Sequence, residues 1–272
     1  VRVVCPRRPT EARIEVVGGV RIRRVSQPFE GRSRAGLILE YAIAACTLGG
    51  VLASELVRRR TDVIQVVNPP DWLAASLLFL RWFGVRLAFD MADLTPALYE
   101  AKFRRRGWLY DLQVGLLRAV LRKADLVVTA NETYRRMAVV LGRRRTSATL
   151  AVHSYPEQTR ARRGPRVPGP LRVGFLGVIG GQDGVDMLLR AIALLRARPK
   201  VPPVELVVVG DGPELPRLRR LPRDLGLETD VRFLGFLTAT DRDAAVESFD
   251  LGVAVDPVNR YTRSISLNKV FA

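Results

Sequence analysis

The stretch Leu171 to Asp186, LRVGFLGVIGGQDGVD, constrains the chain more than any other. Its apolar run, Leu171 to Leu176, is strand-length and reads as a buried strand. A turn holding Gly177, Gly180, Gly181 and Gly184 follows, and a helix opens near Val185. Strand, glycine turn and helix N-terminus together form an anion site. Glycine lets the backbone approach a ligand, and the first N–H groups of the helix point at it with the positive end of the dipole. The competing reading is a plain βα unit, of which every α/β sheet has several.

The rest of the chain repeats this alternation. Val1 to Cys5 reads as a strand, and Arg13–Val17 with Val20–Val25 as a hairpin over Gly18-Gly19. Residues 35–57 form an apolar helix ending at Arg58 to Arg60. Strand Asp62 to Val67 stops at Asn68-Pro69-Pro70-Asp71, where Asp71 is expected to cap a helix reaching Phe83 and closed by Gly84. Strand Val85 to Asp90, loop Met91 to Pro96, helix Leu109 to Lys123 and strand Asp125 to Thr129 come next. A helix from Asn131, closed by Gly142, and strand Leu150 to His153 complete this half.

Residues 157–170, EQTRARRGPRVPGP, are polar and proline-rich and form the linker. The organisation is therefore residues 1–156, the linker, and a second α/β half over 171–272. In that half, strand Val204 to Val209 leads to Gly210-Asp211-Gly212-Pro213, with Pro213 expected in the first turn of a helix. Strand Val231 to Leu234, helix Asp241 to Phe249, strand Leu251 to Val255 and a last helix in SLNKVFA follow. The chain starts without methionine, as though cut from something longer.

Composition narrows the function. Two cysteines form no disulfide framework and suit a reducing cytosol. One histidine, His153, leaves no histidine-rich metal site; it follows a strand at the domain boundary and reads as structural. With 44 Lys+Arg against 27 Asp+Glu, the net charge of +17 attracts phosphates. The plain reading of the arginine clusters is a solvated surface; a face for anionic lipid comes next, and nucleic acid ranks below it because no aromatic interleaving or nucleic-acid motif accompanies them. Glu40 and Glu55 in the apolar helix speak for a buried or membrane-surface helix over a span.

Several chemistries are excluded by motif. A dinucleotide fingerprint fails because position 179 is Ile and position 215 is Leu. There is no Gly-Lys-Ser/Thr and no Gly-x-Ser-x-Gly. Asp241-x-Asp243 has a metal-binding form, but at a helix start such acids read as caps. What remains is a ligand held at strand carboxyl ends, a diphosphate on the Gly177–Gly184 turn and a second substrate facing Asp90 and Asp93.

VIQVVNPPDWL, RLAFDMADLTPALYEAKF and ADLVVTANETYRR, followed by VGFLGVIGGQDGVDMLLRAI, LVVVGDGPEL, VRFLGFL and DLGVAVDP, resemble bacterial family 4 glycosyltransferases in order and spacing. The resemblance covers nearly the whole chain. It implies a GT-B fold, two Rossmann-like domains with a cleft, both incomplete here. It implies a hexosyltransferase-type enzyme moving sugar from a nucleotide-diphosphate donor to a glycan or lipid-linked acceptor, with retention and with neither metal nor cofactor. It also implies a cytoplasmic protein peripheral to the inner membrane face.

On this resemblance the donor side comprises Gly177, Gly180, Gly181, Gln182, Asp183, Gly184, Asp211, Gly212, Phe236 and Lys269. The base is read near Phe236 to Thr238. The acceptor side comprises Asn68, Asp71, Asp93 and Tyr99, with Asp90 and Asp93 the catalytic candidates. The chain departs from the family in the loop Asp90-Met91-Ala92-Asp93, which lacks the family's histidine. Asp183 stands where the family has lysine, and Ser264 and Ala272 stand where it has glutamates. Lys269, Arg260 or Arg263 is left to supply a cation for the leaving diphosphate. The competing functions are a catalytically degenerate nucleotide- or glycan-binding relative, a non-functional fragment, and a basic nucleic-acid binder.

Overall fold

The computed structural model describes residues 1–7, 11–26, 34–58, 61–103, 105–153, 169–259 and 262–264. By Cα proximity the chain divides into two compact units. One comprises Val1–Thr95, Leu112–Val128 and Ala138–Leu150; the other comprises Pro96–Asp111, Thr129–Met137 and Ala151–Ala272.

The chain opens with strands β1 (Arg2–Arg7), β2 (Ile14–Val17) and β3 (Val20–Ser26) in a small sheet of order β1-β3-β2. β2 and β3 pair antiparallel across Gly18-Gly19, as the dipeptide predicts, while β1 lies parallel to β3. Helix α1 (Arg34–Arg58) follows. Among the described residues no helix is long and apolar enough to cross a membrane.

A four-stranded sheet of order β4-β5-β6-β7 comes next, built from β4 (Val63–Val67), β5 (Arg86–Met91), β6 (Leu126–Thr129) and β7 (Thr149–Ala151). β4 and β5 are parallel. Leu87, Phe89 and Met91 of β5 alternate into the core, the period-two signature of a strand. The connecting helices are α2 (Asp71–Ser76), α3 (Thr95–Phe103), α4 (Trp108–Lys123) and α5 (Glu132–Gly142).

Several boundaries differ from expectation: β5 runs on to Met91 and α3 opens at Thr95, both within the expected loop Met91 to Pro96, and β7 ends at Ala151, short of His153. Pro70, not Asp71, is the N-cap of α2; Asp71 lies inside the helix, its carboxylate held by Asn68. The helix then tightens at Leu77 into a 3₁₀ turn, Leu78–Phe83, before Gly84 ends it in the left-handed region. Gly142 does not supply the left-handed residue after α5; Arg143 does, with φ of 48°. Gly142 is instead a contact glycine, since a Cβ there would stand 3.0 Å from Leu121.

The second large sheet is fully parallel, with order β10-β9-β8-β11. Its strands are β8 (Leu171–Leu176), β9 (Val204–Val209), β10 (Val231–Gly235) and β11 (Leu251–Gly252). β8 and β9 fall where their apolar runs predict; β11 is shorter than expected. Helix α6 (Val185–Arg196) buries Val185, Leu188, Leu189 and Ile192, one helical stripe, against Val173, Phe175, Leu206 and Val208 of the sheet. The short helices α7 (Leu215–Leu218) and α8 (Leu221–Asp224) add Leu215 and Leu218 to this core. Pro213 lies ahead of α7, whose first turn holds Pro216. Helix α9 (Ala239–Glu247) starts two residues earlier than expected because Thr238 caps it.

The order of this sheet fixes where a ligand fits. From β8 the chain steps to β9 and β10 in one direction, then returns to lay β11 on the other side of β8. The strand order reverses at β8, so the crevice of this α/β sheet opens at the carboxyl end of that strand. Residue 177 is the first beyond it.

Candidate functional site

The loop after β8 is tightly built. Gly177 donates its N–H to Val209 O (3.1 Å), and Ile179 donates to Asp211 O (3.0 Å), so the β8 and β9 loops are hydrogen-bonded together. Ile179 is buried, which anchors the loop while Val178 and Gly181 stay at the surface. Gly210, at φ of 136°, lies where a Cβ would overlap the Gly177 carbonyl oxygen, and a Cβ at Gly212 would overlap that of Ile179. Gly184 has φ of 69° and no room before Val255 O. It is also the N-cap of α6, with no side chain bonding there. The N-cap residue of α6 therefore offers backbone only, with the Gln182 and Asp183 side chains and the Pro257 ring close by.

Asp183 and Asp211 are engaged with this backbone. The Asp183 carboxylate accepts the Gly180 N–H at 3.0 Å, and Asp183 N–H returns to Gly180 O at 3.1 Å, closing the turn. Asp183 thus closes the turn that precedes α6. Asp211 accepts the Gly212 N–H at 2.7 Å and is exposed. Gln182 is half-buried, its amide next to Gly180. Gly210 N–H reaches Gly235 O, so the exposed Phe236 follows on the neighbouring loop.

On the other sheet, Asn68 is the hub. It is 3% exposed. Its amide nitrogen donates to Asp71 Oδ1 (2.7 Å), Asp93 O (2.8 Å) and Thr95 Oγ1 (3.2 Å), and its Oδ1 accepts the Asp93 N–H at 3.1 Å. One side chain thereby ties the loop after β4 to the loop after β5. Asp71 is 2% exposed, with one carboxylate oxygen lacking a hydrogen-bond partner. Burial pushes its pKa up to about 6; hydrogen bonds from Asn68 and Thr95 oppose the rise, and the charge of Asp93 adds to it. Asp90 accepts from Gln65 Nε2 at 3.0 Å at the end of β5. Met91, in the Asp90–Asp93 stretch that lacks the family's histidine, ends β5 and is fully buried.

The structure brings Asn68, Asp71 and Asp93 together. Tyr99 is 6% exposed on α3, its ring 4.8 Å from that of Phe103. Lys269, Arg260 and Ala272 lie outside the described residues, as do most of the linker, residues 154–168, and the SLNKVFA helix. Arg263 is exposed, and Ser264 is buried with its carbonyl accepting from Asn131 Nδ2 at 3.1 Å. Asp241 bonds Thr238 in the cap of α9, and Asp243 pairs with Arg242, so both acids of that motif have partners. His153 is exposed after β7.

Thr95, Asn131 and Arg219 were missed by the sequence reading as site residues. Thr95 opens α3 and joins the Asn68 cluster, which the Thr-Pro pair at a helix start could have suggested. Asn131 holds Ser264 and caps α5 through the Tyr134 N–H at 2.8 Å. Arg219 brings a guanidinium nitrogen 3.9 Å from where a Cβ on Gly235 would sit, and nothing in the spacing announces it.

Two parallel-stranded α/β sheets, one with a glycine-lined crevice at its switch point, define the Rossmann-like architecture of the GT-B class. Residues 1–151 match the family described as glycosyl transferase 4-like domain, and residues 170–261 match glycosyl transferases group 1. The first match covers more than half of the chain, which belongs to this glycosyltransferase family. It is 28% identical over 244 residues to a D-inositol 3-phosphate glycosyltransferase of Rhodococcus erythropolis, covering 81% of this chain and 53% of that protein. It is 31% identical over 109 residues to an uncharacterized protein of Aquifex aeolicus, 38% of this chain and 65% of that one. The chain thus spans about half to two thirds of the length of these relatives.

Among solved structures, the fold is similar to sucrose-phosphate synthase of Thermosynechococcus elongatus (TM-score 0.64, 17% identity, 95% of this chain and 67% of that one). It is also similar to Anabaena HepE, solved in complex with UDP and glucose (TM-score 0.54, 16% identity, 88% and 61%).

Proposed function

We propose that the chain belongs to an enzyme that moves a sugar from a nucleotide-diphosphate donor to a glycan or lipid-linked acceptor. The observation that carries this reading is the crevice at β8, where Gly210 and Gly212 let the β8 and β9 loops pack backbone against backbone and Gly184 opens α6 with no side-chain cap of its own, so the first N–H groups of the helix stand at the carboxyl end of the strand. A diphosphate needs close N–H donors, and such a surface supplies them. HepE, of similar fold, binds UDP and glucose, which supports a nucleotide-sugar donor.

In this reading residues 171–272 hold the donor, with Gly177–Gly184, Asp211, Gly212 and Phe236 around it and Lys269 supplying the cation. Residues 1–156 hold the acceptor, with Asn68, Asp71, Asp93 and Tyr99 shaping its loop and Asp90 or Asp93 nearest the reacting hydroxyl. Transfer proceeds with retention and without a metal, the leaving diphosphate being stabilised by backbone N–H groups and arginine or lysine. The net positive charge of the chain supports work beside an anionic membrane on its cytoplasmic side.

Titration calorimetry of the full-length protein with UDP, GDP, ADP and their sugar conjugates tests this. Binding of one diphosphate at roughly micromolar Kd is expected. A second reading, a non-catalytic relative, is favoured by Asp183 standing on the Gly180 N–H and by the absence of histidine from the stretch Asp90 to Asp93. Binding without transfer selects it; no binding to any nucleotide rejects the donor site altogether.

A further inference from the structure

The edge of the β4-β5-β6-β7 sheet where β5 and β6 begin carries an unusual surface. The 3₁₀ turn Leu78–Phe83 presents Trp82 at 87% and Phe83 at 76% exposure, with Phe79 half-exposed beside them. Phe79 and Phe83 stack edge to face with centroids 6.4 Å apart, so the rings form one ridge. Arg81, between them in sequence, turns the other way. It donates to Lys123 O and to Asp125 Oδ1, the latter at 2.8 Å. This pins the turn against the end of α4 and holds the rings outward.

Cations gather at the same place. Arg144 donates to Leu121 O (2.8 Å), Ala124 O (2.6 Å) and Asp125 O (3.1 Å), which brings the end of α5 to the end of α4. Arg122 and Lys123 end α4, and Arg143 and Arg145 flank Arg144; all four are exposed. Asp125 is paired with Arg81, and a second acid, Asp62, lies just before β4. The loops bearing Asn68 and Asp93 leave from the opposite, carboxyl ends of β4 and β5.

We propose that this face docks on an anionic lipid bilayer, with the Phe79, Trp82 and Phe83 rings in the headgroup layer and the four cations on lipid phosphates. Amphipathic aromatic rings favour that layer, and each nearby Lys or Arg adds to anionic membrane binding. A symmetric contact with a second copy is opposed by the same charges, since a two-fold interface would set cation against cation. This gives a place on the molecule to the membrane setting proposed above. It leaves the Asn68 and Asp93 loops turned away from the lipid, and it does not depend on which nucleotide sugar is used.

Sedimentation of the full chain with vesicles of phosphatidylcholine alone, and with phosphatidylglycerol added, is the test. Binding to the anionic vesicles only is expected, weakening with salt. Trp82→Ser with Phe83→Ser, and separately Arg143→Glu with Arg145→Glu, should each lower the bound fraction about tenfold. Both pairs are solvent-exposed, so the core is untouched. Equal binding to both vesicle types, binding to neither, or binding unchanged in both variants overturns the proposal. Self-association of the chain that Trp82→Ser with Phe83→Ser abolishes gives the face to a second copy and also overturns it. Nucleotide titration of the same variants reads the donor site separately: it should match the unaltered chain even where vesicle binding is lost.

Discussion

Asp71 is the residue whose charge most depends on its surroundings. Its carboxyl has an ordinary pKa of 3.8 and is raised to about 6 by burial. Above about pH 6 the folded chain holds a buried charge that the unfolded chain keeps in water, which costs on the order of 3 kcal/mol. The folded state binds the extra proton between these two values. Stability contributed by this group is therefore greatest below about pH 4 and is lost as pH rises through about 6. Asp71→Asn should flatten that dependence, seen as a urea midpoint that no longer falls between pH 4 and 6. Gly210→Ala is expected to be costly for a different reason. The methyl would need the space of the Gly177 carbonyl, at a φ that alanine avoids. A loss of about 2 kcal/mol or more in denaturant unfolding, together with loss of nucleotide binding, should follow.

At the scale of elements, the end of α4 depends on one side chain. The Arg144 guanidinium donates to Leu121 O, Ala124 O and Asp125 O, at and just past the end of α4 where carbonyls lack helical partners, and also to Ala148 O before β7. Arg144→Ala should lower stability by about 2 kcal/mol, read as a fall in Tm. Arg144→Lys should recover only part of it, because an ammonium lacks the planar fork that reaches several carbonyls at once. The α6 stripe of Val185, Leu188, Leu189 and Ile192 was legible in the sequence because its helical period is unbroken. The split of Asp71–Phe83 into α2 and a 3₁₀ turn was not legible, since every residue in it is compatible with continuous helix. What ends α2 is the packing of Leu77 and Leu80 in the core while Trp82 and Phe83 turn outward.

For the whole molecule, two compact units predict composite unfolding. Scanning calorimetry should resolve two transitions. A bound diphosphate should raise the one that belongs to the sheet containing β8 and leave the other in place. At a ligand concentration of about 100 Kd the gain is about 2.7 kcal/mol. A single transition, or an equal rise of both, would show that the units unfold together.

The sequence by itself determined the α/β class, the positions of β8, β9 and α6, and the glycine turn between them. These depend on local periodicity and on residues that only one backbone geometry suits. It also named Asn68, Asp71 and Asp93, but as separate loop residues. Tertiary structure decided that Asn68 binds both acids' loops, that Asp183 closes its own turn, and that Met91 is buried. It also decided that aromatic rings and arginines from three separate elements share one edge. Each of these joins groups distant in sequence, and such pairings are set by how strands order and helices pack, which no local pattern encodes.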